Sequence, residues 1–490
     1  MVGAGVGGLA AAARLAALGH HVTVCEQAPE VGGKLGRVVH DGAAGAFGFD
    51  TGPSLVTMPQ VFRDLFRDTG DSLDSVLPLR RTTLPRASFA EGAVLPTATT
   101  EADFLDGLDP GQRLQWKHFL ARAERIWDAT HAPFLESPLG SVRALLRLLP
   151  GQLRDLRTVA PWRSLGSLGA SLLPDPHLRM LLERYATYTG SDPRRAPAAL
   201  AVVPFVEQRF GAWYVDGGLH RLGLAIRDRA AERGAVLRTD TEVVAVETAG
   251  GRVGGVRLAD GSRLAADVVV ANADAAHVYG DLLPRSRATT RLARRVTARA
   301  SYSGFVVLLA LRGTTPGLAH HEVLFPADYE AEFDGLRAGT TPLPDPAVYV
   351  SAPRDPGVAP PGHESWFVLV NAPRHAPWAA AGGMDWEAAG VVPAYADRVL
   401  DLLAARGLDV RSRVVWRGTR SPADLEQATR AVGGAIYGTS SDGARAAFVR
   451  PANRSPVPGL FLVGGSAHPG GGLPLVTLSA RIVAGLVGPA

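Results

Sequence analysis

Cysteine is almost absent: Cys25 is the only one in 490 residues. A lone thiol excludes an intrachain disulfide and any cysteine cluster that could hold zinc or an iron–sulfur centre, and it fits a reducing compartment. Its place on an early strand argues for a buried, inert thiol. Lysine is nearly as scarce, with Lys34 and Lys117 the only two among 51 basic residues. The net charge is only +4, and the arginines are mixed with acids along the chain, which excludes the clustered basic stripe of a nucleic-acid binder. Long apolar runs are missing too. Stretches such as FVVLLAL at 305–311 fall well short of the roughly 18 residues that cross a bilayer, and no export leader is visible at the start. The histidine pairs at 20/21 and 320/321 lack companions at metal-ligand spacing, so packed or solvated rings are expected and no metal site. GGSAH at 464–468 misses the GxSxG of a nucleophile elbow by one residue.

Glycine is what the chain has in plenty, 56 residues of it, and it is concentrated where chemistry needs it. In VGAGVGGLAAAARLAALGHHVTVCEQAPEVGGK, from Val2 to Lys34, Gly3, Gly5 and Gly8 form GxGxxG between a strand and a helix. That spacing permits a tight turn, close approach of backbone to a pyrophosphate, and close packing of helix on sheet. The helix is expected from about Val6 to Leu18, ended by Gly19. The next strand, HVTVCE, ends in Glu26, the carboxylate placed to accept hydrogen bonds from a ribose diol, and Gly32, Gly33 and Lys34 follow. This is a dinucleotide cradle. Only Met1 and Val2 precede Gly3, whereas a central strand usually spans about five or six residues. The expectation is therefore that the natural chain carries a few more apolar residues ahead of Val2.

A chain of 490 residues with 46% apolar and 20% charged residues is soluble-protein-like and exceeds one core, which argues for two interleaved domains. Three separate segments, 1–70, 211–275 and 421–490, carry the cradle, a strand–helix–strand return and a closing strand–glycine–helix unit, and are assigned to one discontinuous nucleotide-binding domain. Residues 71–210 read as a mainly helical insertion for substrate and membrane contact. Within it, 141–174 is Leu-rich and carries Arg143, Arg147, Arg154, Arg157 and Arg163, a pattern shared by interfacial helices and by ordinary solvated ones. Residues 276–420 read as a substrate-binding sheet region, with strands at 303–312, 346–351 and 365–371 and a helix near 388–405. Gly250, Gly251, Gly254 and Gly255 lack a following helix and are expected in a hairpin, leaving one dinucleotide site. In PGLFLVGGSAHPGGGLPLVTLSARIVAGL, from 458 to 486, a strand leads through glycines to a helix starting near Leu473, whose positive end faces back to the cradle.

Several blocks together resemble the phytoene desaturase family of FAD-dependent carotenoid desaturases, including members acting on 1-hydroxylated carotenoids. They are the cradle with GGK, DTGPS at 50–54, YATYTGSDPRRAPA at 185–198, FVEQRFGAWYVDGG at 205–218, ANADAAHVYGDLLP at 271–284 and VGGSAHPGGGLPLVTLSARIVAGL at 463–486. The resemblance implies an α/β fold like that of the amine oxidases: an FAD-binding, doubly wound Rossmann-like domain with an inserted substrate domain of mixed sheet and helices. It implies FAD held by Gly3, Gly5 and Gly8 at the pyrophosphate, Glu26 at the adenosine ribose, Gly33 and Lys34 at the phosphates and ribityl region, and the Val243 backbone at the adenine. Gly464, Gly465, Leu473 and Pro474 would flank the ribityl chain and flavin. Many flavoproteins of the wider fold place an acid where this chain has Gly464 and Gly465. The implied reaction is desaturation of an acyclic carotenoid by a cytoplasmic enzyme peripheral to the inner face of a membrane, with oxygen or a quinone as acceptor and no nucleic-acid partner. His468 is the candidate polar group beside the flavin. A flavin amine oxidase, a carotenoid isomerase or oxygenase, and a non-enzymatic prenyl-binding escort are the alternatives, the last disfavoured by the intact glycines and Glu26.

Overall fold

The computed structural model describes residues 1–139, 158–379, 382–443, 446 and 450–490. Its organising sheet is parallel and has the first three residues in its middle. Val2 bridges Cys25 on one side and Ala271 on the other. The Val2 amide donates to the Val270 carbonyl at 2.9 Å, the Gly3 amide to Cys25 at 2.8 Å, and the Asn272 amide to Val2 at 2.7 Å. Thr23–Cys25 pairs outward with Val236–Arg238, and Val269–Ala271 with Leu460–Leu462, both in parallel. The short stretch at Met1–Gly3 thus has both of its edges paired, and its buried ammonium donates to the Thr23 carbonyl at 2.8 Å.

The first helix runs Val6–Ala17 and leaves through Gly19 at φ +94°. Every residue from Val6 to Ala16 is buried, because the helix lies between the C-terminal helix Leu473–Val487 and the helix His220–Glu232. Alanine on all sides permits such enclosure, since a small side chain lets neighbouring helices approach closely. The hairpin Arg37–Gly42 with Gly45–Asp50 follows the cradle. The glycines at 250 and 251 turn the hairpin between Val243–Ala249 and Arg252–Leu258, as their lack of a following helix predicts. Cys25 is a buried free thiol, and burial pushes its pKa up.

A second sheet has seven strands in the order 414–420, 303–312, 363–372, 348–351, 321–324, 86–88, 94–95. Neighbours are antiparallel except Arg86–Ser88 beside His321–Leu324. Ser303–Arg312 is buried along nearly its whole length because both faces are covered. Phe305, Val307, Leu309 and Leu311 face the core that includes Trp386 and Tyr395, while Val306, Leu308 and Ala310 face the helical side with Phe205 and Leu182. The segment 71–210 is helical over Pro110–Thr130, Leu165–Leu172, Pro176–Arg184 and Val202–Phe210. It is not helical throughout: Arg86–Ser88 and Val94–Leu95 leave it to extend the sheet built from 276–420. The first half of the basic segment 141–174, with Arg143, Arg147, Arg154 and Arg157, lies outside the described residues.

Candidate active site

Ten of the residues expected at the site line one cavity of about 1050 Å³: Gly3, Gly5, Glu26, Gly33, Lys34, Val243, Gly465, His468, Leu473 and Pro474. Gly8 and Gly464 do not line it. A Cβ on Gly8 would sit 2.4 Å from the Gly3 carbonyl oxygen, and one on Gly464 would sit 2.2 Å from Asn272 Nδ2. Their work is packing. Asn272, just after Val269–Ala271, is the hub of that packing: a Cβ on Gly3 would meet its carbonyl oxygen, and one on Gly5 its Oδ1, each at 2.7 Å. Its Nδ2 donates to the Val463 carbonyl at 3.1 Å, tying the first cradle to the closing strand. Asn272 lies in a stretch that the resemblance covers, but no spacing rule singles out an asparagine after a strand.

In the cavity wall the first helix presents Gly5, Val6 and Gly7, with no acid in its first turn. Close by, Gly470, Gly471 and Gly472 lead into the helix at Leu473, again without an acid. First-turn amides lack intrahelical acceptors and carry partial positive charge, so both ends favour phosphate oxygens or developing anionic charge. Glu26 is fixed between them and the adjacent strand: Oε2 accepts from the Ala4 amide at 2.6 Å and Oε1 from the Ala28 amide at 3.0 Å. A carboxylate has about four acceptor positions, so lone pairs remain for a diol. This donor set fits a dinucleotide carrying a pyrophosphate and a ribose.

Three charged groups brace the cavity wall near these glycines. Lys34 Nζ, expected at the phosphates and ribityl region, donates to the carbonyls of Ala435 at 2.7 Å and Ile436 at 2.8 Å. Burial pushes its pKa down to about 8, with Asp274 opposing. Arg450 is buried and donates to the carbonyls of Tyr437 at 3.0 Å, Gly465 at 2.6 Å and Thr439 at 2.6 Å, and burial lowers it to about 10. Asp274 caps a short turn through the Ala276 amide at 2.9 Å, and burial raises its pKa. Sequence reasoning missed Arg450 because, among so many arginines, only the fold shows which one is enclosed.

His468 gains in the structure the partner that sequence could not name. Its Nε2 meets the Ser137 carbonyl at 3.0 Å, its ring stands edge-on to Phe134 at 5.1 Å, and its Nδ1 is buried without a hydrogen-bond partner. Burial pushes the ring down to about 4, so it is neutral near pH 7. The histidine pairs, expected to be packed or solvated, divide between the two: His20 bonds the Gly488 carbonyl and His21 is exposed, while His320 and His321 stack at 4.2 Å and bond Thr82 and Tyr349. Beyond the cradle the same cavity opens into a chamber walled by Val203, Val206, Val306, Phe367, Leu369 and Ile436.

Among curated proteins the chain is 33% identical over 491 residues to the 4,4'-diapolycopene oxygenase of Methylomonas sp, covering 99% of this chain and 96% of that one. It is 34% identical to the hydroxyneurosporene desaturase of Cereibacter sphaeroides, with 98% and 95% covered. It is also 34% identical to the zeta-carotene-forming phytoene desaturase of Myxococcus xanthus, with 99% and 92% covered. Among solved structures, wild-type putrescine oxidase bound to putrescine superposes with a TM-score of 0.64 at 15% identity over 99% of this chain and 97% of that one. An oxidoreductase from Methanosarcina mazei gives 0.63 at 16% identity over 99% of both chains. At such identities these two speak for the fold alone. The model of the flavin containing amine oxidoreductases matches residues 6–488, in keeping with the two helix ends, the glycine floor and the fixed carboxylate, and the chain belongs to that family of oxidoreductases, whose cofactor here is FAD.

Proposed function

We propose that the protein is an FAD-dependent desaturase of acyclic carotenoids, removing a hydride and a proton from neighbouring carbons to lengthen a conjugated polyene. The observation that carries this reading is the continuity of the cradle with an apolar chamber in one cavity of about 1050 Å³. The curated relatives named as carotenoid desaturases and oxygenases support it. An amine substrate is disfavoured on this chain's own residues. Arg184 lies over the rings of Tyr188 and Tyr349, both of which line the chamber, so an ammonium entering there meets a fixed cation.

FAD, when bound, supplies the hydride acceptor. Gly3, Gly5 and Gly33 with the first helix would hold its pyrophosphate, Glu26 its ribose, and Gly465, Leu473 and Pro474 the flavin end; Val243 would meet the adenine. The chamber walls align the polyene and exclude water, so the cation left on the chain is delocalised and not trapped by solvent. His468 offers an acceptor lone pair at Nδ1, enough to take a proton from so acidic a cation. The discontinuous cradle domain of 1–70, 211–275 and 421–490, the insertion 71–210 and the sheet region 276–420 are the working division of labour. No described helix is long and apolar enough to cross a membrane. Uptake from the inner face of a membrane through 141–174, and passage of electrons to oxygen or a quinone, complete the proposal. Expression in cells that accumulate phytoene, neurosporene or a 1-hydroxycarotenoid tests it by mass spectrometry of the pigments. Loss of hydrogen in pairs is expected; gain of oxygen instead would replace desaturation by oxygenation, and unchanged pigment in all three hosts would overturn both.

A further inference from the structure

The apolar chamber contains a polar corner that desaturation of a hydrocarbon does not need. Arg184, at the end of Pro176–Arg184, is buried and lines the cavity. Its Nη1 donates to Tyr188 Oη at 2.8 Å, and its guanidinium lies 5.0 Å from the Tyr188 ring centre and 5.5 Å from that of Tyr349. No carboxylate is paired with it among the described residues, although a guanidinium has five donors to satisfy. Glu207, on Val202–Phe210, also lines the cavity and is 1% exposed. Its Oε1 accepts from Tyr185 Oη at 2.8 Å, while Oε2 is buried with no partner. The two charges feel one another, Arg184 opposing the upward push of burial on the Glu207 carboxyl, yet no direct ion pair closes the gap among the described residues. Buried polar groups are almost always satisfied, so a spare donor and a spare acceptor in one chamber call for a ligand that supplies both complements.

We infer that Arg184 and Glu207 form a subsite for a hydroxyl group carried by the polyene, the oxygen accepting from Arg184 and the hydrogen donated to Glu207 Oε2. The inference rests on the carotenoid reading of this cavity and narrows it to hydroxylated acyclic carotenoids. A hydroxyl matches because it both accepts and donates. A carbonyl serves Arg184 alone, an unsubstituted end leaves both groups unpaired, and an ammonium meets a cation. Held at this corner, the polyene would present the bond at a fixed distance from its hydroxyl to the flavin end of the cavity, so the subsite also sets which bond reacts.

The test uses the FAD-loaded full chain with two acyclic polyenes of equal length and conjugation, one bearing a terminal hydroxyl and one without. Binding is read by quenching of tryptophan fluorescence, for which Trp127 in the cavity wall is a reporter, and turnover by the red shift of the polyene absorption. A site built to bond a hydroxyl rejects the analogue lacking it strongly, and the hydroxylated polyene is expected to bind on the order of 100-fold more tightly. Arg184→Gln should erase most of that preference by weakening the hydroxylated polyene alone, Arg184→Lys should restore part of it, and Glu207→Gln should reduce it. Flavin absorbance reports folding of each variant; should Arg184→Gln lose its flavin, the wild-type preference and Glu207→Gln decide. Equal binding of the two polyenes by the wild type, or parallel weakening of both by Arg184→Gln, overturns the subsite. Turnover of both polyenes at equal rates removes the subsite and leaves the desaturase, whereas a hydroxyl preference in binding with no new double bond removes the desaturase and leaves the subsite.

Discussion

His468 shows how much a residue's role depends on enclosure that sequence does not display. Its position in HPGGG was legible as a loop beside a helix end; its neutrality was not, because that comes from burial among Phe134, Ser137 and the chain around Pro451. An unfolded histidine titrates near 6.5, and this one is held at about 4 when folded. Between those values the unfolded chain binds a proton that the folded chain refuses, so stability falls as pH drops through the window and levels off below it. His468→Gln should therefore flatten the wild-type loss of stability between pH 6.5 and 4 by up to about 3 kcal/mol, the remaining slope including His320, held down in the same way. Urea melts at a series of pH values would show it, and identical slopes for both proteins would refute it. Glu26 and the cradle glycines were readable because fixed spacing specifies them. Asn272 and Arg450 were not, since each acts on backbone brought from more than one part of the chain.

Among the elements, the long and regular ones were readable, and of the short ones only those beside a glycine motif or within an apolar run, such as Thr23–Cys25, Leu460–Leu462 and Val348–Ser351. The helix expected from Val6 to Leu18 is found at Val6–Ala17, and the strand at 303–312 is found as Ser303–Arg312. Strands such as Arg86–Ser88, His321–Leu324 and Val94–Leu95 are two to four residues long, too short for a period to register, and exist because a longer neighbour supplies the ladder. Val414–Arg420, VVWRGTR, is half-exposed and arginine-rich, and only its pairing with Ser303–Arg312 makes it a strand. The first helix carries a sharper consequence. Ala12 is fully enclosed, so Ala12→Leu has no solvent side to escape to. It should cost about 1–3 kcal/mol and shift the helix end that faces the cavity, lowering both melting temperature and bound flavin per chain. A variant that keeps both values would show slack in this packing.

For the whole molecule, the balance of charge matters more than its sum. Net charge is +4, yet 141–174 sets five arginines against one acid. Each arginine near an anionic leaflet contributes about 1 kcal/mol, so flotation with anionic liposomes should carry the protein and lose it on adding salt or on changing Arg143, Arg147, Arg154 and Arg157 to Gln. Flotation indifferent to lipid charge and to these changes would remove the membrane part of the proposal.

The parallel sheet also dictates an order of events during synthesis. Its middle strand leaves the ribosome before its neighbours, with Thr23–Cys25 and Val236–Arg238 after it, but Val269–Ala271 waits for Leu460–Leu462, some 190 residues later in the chain. Nascent chains therefore carry an unfinished sheet edge while everything between these two strands is made, the condition in which long-range pairing is slow and association with other chains competes. Flavin cannot rescue them early, because Gly465 and Leu473 join the cavity only after that strand is in place. Chains stalled at residue 450 should retain no flavin and depend on chaperones for solubility, while synthesis of residues 451–490 should switch on cofactor retention in one step. Flavin bound to the stalled chain would mean that the first cradle holds it unaided.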